Sequence, residues 1–219
     1  MNTFIPSAEL NEKSKTDTSR GAQTSAHHKQ VKVWDPLVRV FHWSLVSAFI
    51  IAYLTEDDFL DVHVYAGYLI GGLMVFRLFW GLVGSRHARF SNFVKRPSDV
   101  WNYIKSMLSQ HPRRYLGHNP AGGAMVVALL LSLVLVTVSG IAIYGADESA
   151  GPLAASLSGA SEFWIDALEE MHEFFANATV ALVFFHVLGV LLASLQHKEN
   201  LVKSMVNGMK PESKKGDVA

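Results

Sequence analysis

"MHEFFANATVALVFFHVLG", residues 171–189, places two histidines in a largely apolar stretch. Fourteen positions separate His172 from His186. At about 100° per residue they fall about 40° short of four full turns, so both rings leave one face of a helix. Along the helix axis they lie about 21 Å apart, most of the depth of a hydrocarbon core of about 30 Å. The pattern predicts a membrane-spanning helix with one ligand near each side of the bilayer.

The composition suits that reading. Of 219 residues, 50% are hydrophobic and 17% charged, and mean hydropathy is +0.21, values typical of a small integral membrane protein. The chain has no cysteine. That excludes disulfides, thiolate zinc sites, cysteine-ligated iron–sulfur clusters and covalently attached c-type haem, and any metal must be held by histidine or oxygen. Formal net charge is zero, so global charge favours no particular partner and no nucleic acid is expected. Residues 1–30 are polar and rich in Ser and Thr, without the apolar core of a signal peptide, and read as a disordered tail. His27 and His28 lie in it.

Four apolar segments follow, at about residues 36–55, 62–83, 122–145 and 168–195, each long enough to cross a bilayer. The expected architecture is an all-α four-helix transmembrane bundle over residues 31–203, with a polar tail at 204–219. No internal repeat is visible. Orientation follows from the loops. The first, "TEDDFLD", has four acids and no base, and the third carries six acids and no Lys or Arg. The connection between spans 2 and 3 instead holds Arg86, Arg89, Lys95, Arg96, Lys105, Arg113 and Arg114 against Asp99. The positive-inside rule then puts both termini and this connection in the cytoplasm. Within it, "PSDVWNYIKSML" reads as a short amphipathic helix on the inner membrane face.

On that topology the intramembrane histidines sort by depth. His42 in span 1 and His186 in span 4 fall at the inner level, and His63 in span 2 and His172 in span 4 at the outer level. Ionisable residues inside spans are rare and usually functional. Two pairs drawn from three helices form the ligand arrangement for two b-type haems, each iron held by two imidazoles. A bis-histidine iron has no open position, so it exchanges electrons rather than binding substrate. Gly67 lies four residues after His63 and Gly189 three after His186, where a missing side chain lets a porphyrin approach, or lets helices pack closely. Arg77 shares the face of His63 but lies near the inner level. It is a partner for the inner propionates or, alternatively, a snorkelling anchor. Arg39, one turn before His42, offers the same contact. The remaining histidines, His87, His111, His118 and His197, lie in cytoplasmic loops or span ends. His118, in "RRYLGHNPAGG", stands at the depth of a quinone headgroup. A histidine-based proton or ion transporter without haem is the alternative, although it would normally add Asp or Glu within the spans. A passive membrane anchor is a third reading.

Four stretches, "VWDPLVRVFHWSL", "HVYAGYLIGGLMVFRLFWGLVG", "RRYLGHNPAGGAMV" and "MHEFFANATVALVFFHVLGVLLASLQHKENLVKSMVNG", resemble the prokaryotic cytochrome b561 superfamily. Its closest branch includes the b-type cytochrome subunits of nickel–iron hydrogenases. The resemblance covers about residues 31–210. It implies a four-helix bundle in the bacterial inner membrane with two non-covalent haems b on His42, His63, His172 and His186. It further implies electron exchange between membrane quinone and a periplasmic partner, either a c-type cytochrome or a hydrogenase.

Overall fold

The structure, a computed structural model, describes residues 30–56, 58–109, 113–212 and 217–218. His27, His28, Asp57 and His111 lie outside the described residues. Four helices are long and apolar enough to span a membrane: α1 (Pro36–Leu54), α2 (Leu60–Val83), and the third and fourth in that series, Pro120–Ala146 and Glu162–His197. Numbered in chain order, α3 (Phe90–Phe93) and α4 (Pro97–Leu108) lie in the connection after α2. The third span is then α5, α6 is Ala154–Leu157, the fourth span is α7, and α8 is Leu201–Asn207.

Local chemistry sets these starts. Asp35 caps α1, its carboxylate accepting from Val38 N–H at 2.9 Å, with Pro36 in the first turn. The same carboxylate accepts from Trp80 Nε1 at 3.4 Å and from Ser85 Oγ, tying the start of α1 to the end of α2. Burial raises the Asp35 pKa, but the hydrogen bonds from Ser85, Val38 and Trp80 outweigh it and hold the carboxyl below its ordinary value. Asn119 caps α5 through Gly122 N–H at 2.7 Å.

The fourth helix is longer than the expected 168–195. It begins at Glu162 and has 36 residues, about 54 Å of helix, so it projects well beyond a hydrocarbon core of about 30 Å. Hydropathy marks where a helix meets lipid and is blind to its continuation into water. Glu162 and Asp166 in the first turns are favourable at a helix N-terminus.

In packing, α1 lies along α2, α2 along α5, and α5 along α7. Phe41, Ala48 and Ala52 of α1, Ala66, Ile70 and Met74 of α2, and Leu133 and Val136 of α5 form the buried core. Small residues allow this close approach, which lipid alone does not drive. Between α5 and α7, Ser132 Oγ and Thr179 Oγ1 hydrogen-bond at 2.7 Å, with Thr179 fully buried. Among the described residues, α7 makes only sparse backbone contact with α1 and α2, leaving a cleft between it and them.

The chain flanks meet at one end of the bundle. Strand β1 (Gln30–Lys32) pairs antiparallel with β2 (Met209–Pro211), Gln30 opposite Pro211 and Lys32 opposite Met209. The polar tail expected from residue 204 therefore begins as ordered structure. Lys210 is 4% exposed, with Nζ 3.3 Å from Glu199 Oε1 and donating to Tyr115 O at 3.3 Å. Arg114 joins Glu199 at 3.1 Å, donates to Pro211 O at 2.9 Å and pairs with Asp217. Lys210 and Arg114 are thus neutralised in a network that latches the C-terminal segment to the loop before α5.

Candidate haem-binding site

His63 on α2 and His172 on α7 face each other across the cleft, ring centroids 6.0 Å apart and planes at 74°. Each ring is fixed from behind. His63 Nδ1–H donates to Ala52 O of α1 at 2.9 Å, and His172 Nδ1–H donates to Val136 O of α5 at 2.9 Å. A carbonyl only accepts, so Nδ1 bears the hydrogen in both rings and the Nε2 lone pair is free. This is the tautomer of a metal-ligating histidine with its outer-shell partner in place. Ser139 Oγ, 3.1 Å from His172 Nδ1, itself donates to Leu135 O and Val136 O.

At the other level, His42 of α1 and His186 of α7 are near enough to interact electrostatically. His42 Nδ1 is buried with no hydrogen-bond partner, and its ring stands edge-on to Trp43 at 5.1 Å. The outer pair thus joins α7 to α2, two helices with only sparse backbone contact. Among the described residues no three His, Asp or Glu side chains gather into a metal cluster.

Gly67 and Gly189 line open space. A Cβ on either would meet no atom within 4 Å, so neither glycine serves close helix packing within this chain. Arg77 is 4% exposed, which removes the snorkelling reading. Its Nη2 donates to Ala88 O at 3.0 Å, and the guanidinium lies 4.9 Å from the centroid of Phe90 and 5.7 Å from that of Phe93. Its Nη1 is buried without a partner. Arg39 donates to Val206 O of α8, and its Nε is likewise buried and unpartnered.

Sequence reading assigned no site residue to the third span, yet α5 positions His172. Val136 O orients the ring, and a Cβ on Gly140 would stand 2.8 Å from His172 Cε1. The available signal was the "SG" step at Ser139–Gly140 in a span without charged residues. His118 also proves to be a packed group. Its ring lies 4.7 Å from that of Trp34 and 4.9 Å from that of Phe93. Burial pushes its pKa down to about 3, with Arg77, Lys210 and His186 adding to the effect, so the ring is neutral.

A facing imidazole pair with Nε2 free, glycines beside open space and buried arginine N–H groups without a hydrogen-bond partner fit a haem held by histidines. Residues 33–208 match the family described as prokaryotic cytochrome b561. The chain belongs to that family. Prokaryotic cytochromes b561 of this kind are multi-pass bacterial membrane proteins of electron transport that use haem. The chain is similar to a "Probable Ni/Fe-hydrogenase B-type cytochrome subunit" of Azotobacter chroococcum mcd 1, 26% identical over 88% of this chain and 93% of the relative. A protein of the same description from Cupriavidus necator is 27% identical over 88% and 92%. The "Probable Ni/Fe-hydrogenase 1 B-type cytochrome subunit" of Escherichia coli K12 is 25% identical over 80% and 88%. No solved structure matches the chain. Membership in a cytochrome family leaves the haem-free transporter without support.

Proposed function

We propose that this cytochrome holds two haems b and carries electrons across the inner membrane between the quinone pool and a periplasmic redox partner. The observation that carries the reading is His63 facing His172 with Nε2 free in both rings, and the electrostatic influence of His186 on His42 supports a second pair. His63 and His172 hold the outer iron, and His42 and His186 the inner. Gly67 and Gly189 leave room for the porphyrins, while Arg77 and Arg39 turn N–H groups toward the inner propionates. Haem bound there would be held by these imidazoles and would supply a ferric–ferrous couple.

Sidedness follows from charge. The end holding the 84–119 connection, β1, β2 and α8 is basic and is cytoplasmic by the positive-inside rule. The opposite end is periplasmic and exposes Glu56, Asp58, Asp61, Glu162, Asp166, Glu169 and Glu170. A nickel–iron hydrogenase is the favoured partner, because the three relatives described above carry that name, and electrons from it would reduce quinone. Oxidation of quinol with transfer to a periplasmic c-type cytochrome is the other direction.

Purified protein tests the reading directly. The dithionite-reduced spectrum should show a b-type α-band, and pyridine haemochrome assay should give two haems per chain. One haem per chain, or none, would overturn it.

A further inference from the structure

A cavity of about 550 Å³ lies within the basic connection, and none of His42, His63, His172 and His186 lines it. We propose that it binds a phosphate group, supplied by the headgroup of an anionic phospholipid. Its wall includes Arg86, Lys95 and Arg113 against the carboxylate of Asp99. His87, also in the wall, has its pKa lowered first by burial and then by Arg86 and Lys210.

Charge alone would describe a solvated basic loop. The second observation is Tyr103, which lines the cavity, is 6% exposed, and has a hydroxyl with no hydrogen-bond partner. Burial and the neighbouring Tyr115 push its pKa up to about 12, so the hydroxyl stays a donor. His118 Nδ1, in the same wall, is also shielded and unpartnered. Buried polar groups are normally satisfied. Here a neutral donor and several cations converge on one space, and an anion with several acceptor oxygens satisfies them together.

The depth of the cavity selects the source. Tyr103 lies on α4, whose outer face shows Trp101 at 58% exposure and Ile104 at 37%, with Lys105 Nζ 5.3 Å from the Trp101 ring centroid. Tryptophan beside lysine on an amphipathic helix marks the headgroup layer. Basic pockets at the cytoplasmic surface of helical membrane proteins recognise anionic headgroups. The phosphate at hand there is a lipid phosphate.

The experiment uses the full chain with its haem, reconstituted in phosphatidylcholine nanodiscs doped with phosphatidylglycerol, and counts lipid retained after detergent release by native mass spectrometry. Wild type should retain phosphatidylglycerol in preference to phosphatidylcholine. Tyr103→Phe, which removes one oxygen, should lower retention about fivefold. Combined Arg86→Gln, Lys95→Gln and Arg113→Gln should lower it at least about tenfold, both variants keeping the wild-type haem spectrum. Equal retention of the two lipids, or retention unchanged in both variants, overturns the proposal. Displacement of the lipid by millimolar inorganic phosphate makes a soluble phosphate the occupant and overturns the lipid source. Loss of haem from the triple variant with lipid retention intact assigns the cavity to haem and overturns it as well.

Discussion

His63 and His172 stand 6.0 Å apart on helices that scarcely touch, each with Nδ1 bound to a carbonyl of yet another helix. All four spans therefore meet at this ring pair: α2 and α7 supply the imidazoles, while α1 and α5 fix their tautomers. His63→Ala and His172→Ala should remove the same haem from the redox difference spectrum, and His42→Ala and His186→Ala the other. A common loss in His42→Ala and His172→Ala would sink the pairing by depth.

The open glycines separate a cofactor cradle from empty surface. Protein packing alone predicts that Gly67→Ala and Gly189→Ala are harmless, since a Cβ there meets nothing within 4 Å. If porphyrins occupy that space, each substitution lowers haem content at its own level while the polypeptide still inserts and folds. Haem-to-protein ratios decide between the two. Gly140→Val should act at the outer level only, because its side chain would collide with the His172 ring.

Arg77 is a buried cation with one unpartnered N–H group. A nearby positive charge favours the electron-rich ferrous state, so Arg77→Leu should lower the inner midpoint potential and leave the outer nearly unchanged. Potentiometric titration reads both. Two unmoved midpoints would reduce Arg77 to a structural clamp on Ala88, Phe90 and Phe93.

The C-terminal latch makes a stability prediction. Glu199 is the shared partner of Lys210 and Arg114. Glu199→Ala leaves Lys210 buried and unpaired from it, and breaking a buried ion pair costs about 3 kcal/mol. Thermal unfolding followed by tryptophan fluorescence should show a lowered Tm, partly restored by adding Lys210→Met. A Tm equal to wild type would make the network dispensable.

Exposed acids gather at the end opposite the basic connection, Glu56 and Asp58 among them. Such a field speeds encounter with a basic partner and weakens as salt rises. Electron exchange with a basic periplasmic protein should slow with ionic strength, and slow again when Glu56, Asp57 and Asp58 are neutralised. Rates indifferent to both changes would leave the acids as a by-product of topology.

Much of this was written along the chain. Four apolar runs of sufficient length, the spacing of His172 and His186, and the segregation of bases from acids are one-dimensional properties. They determine the spans and set an expected level for each histidine and an expected side for each loop, because a bilayer converts hydropathy and charge into depth. Tertiary structure alone decided the rest. The cleft between α7 and the α1–α2 pair, the carbonyls of Ala52 and Val136 behind the outer rings, and the room that Gly140 leaves for His172 depend on which helix faces come together. So do the burial of Arg77 and the latch of Lys210 and Arg114 on Glu199. A helix-periodic pattern says that a residue leaves one face. Only packing says which backbone atom waits opposite it, and neutralising partners far apart in sequence turn an apparently solvated lysine into part of the core.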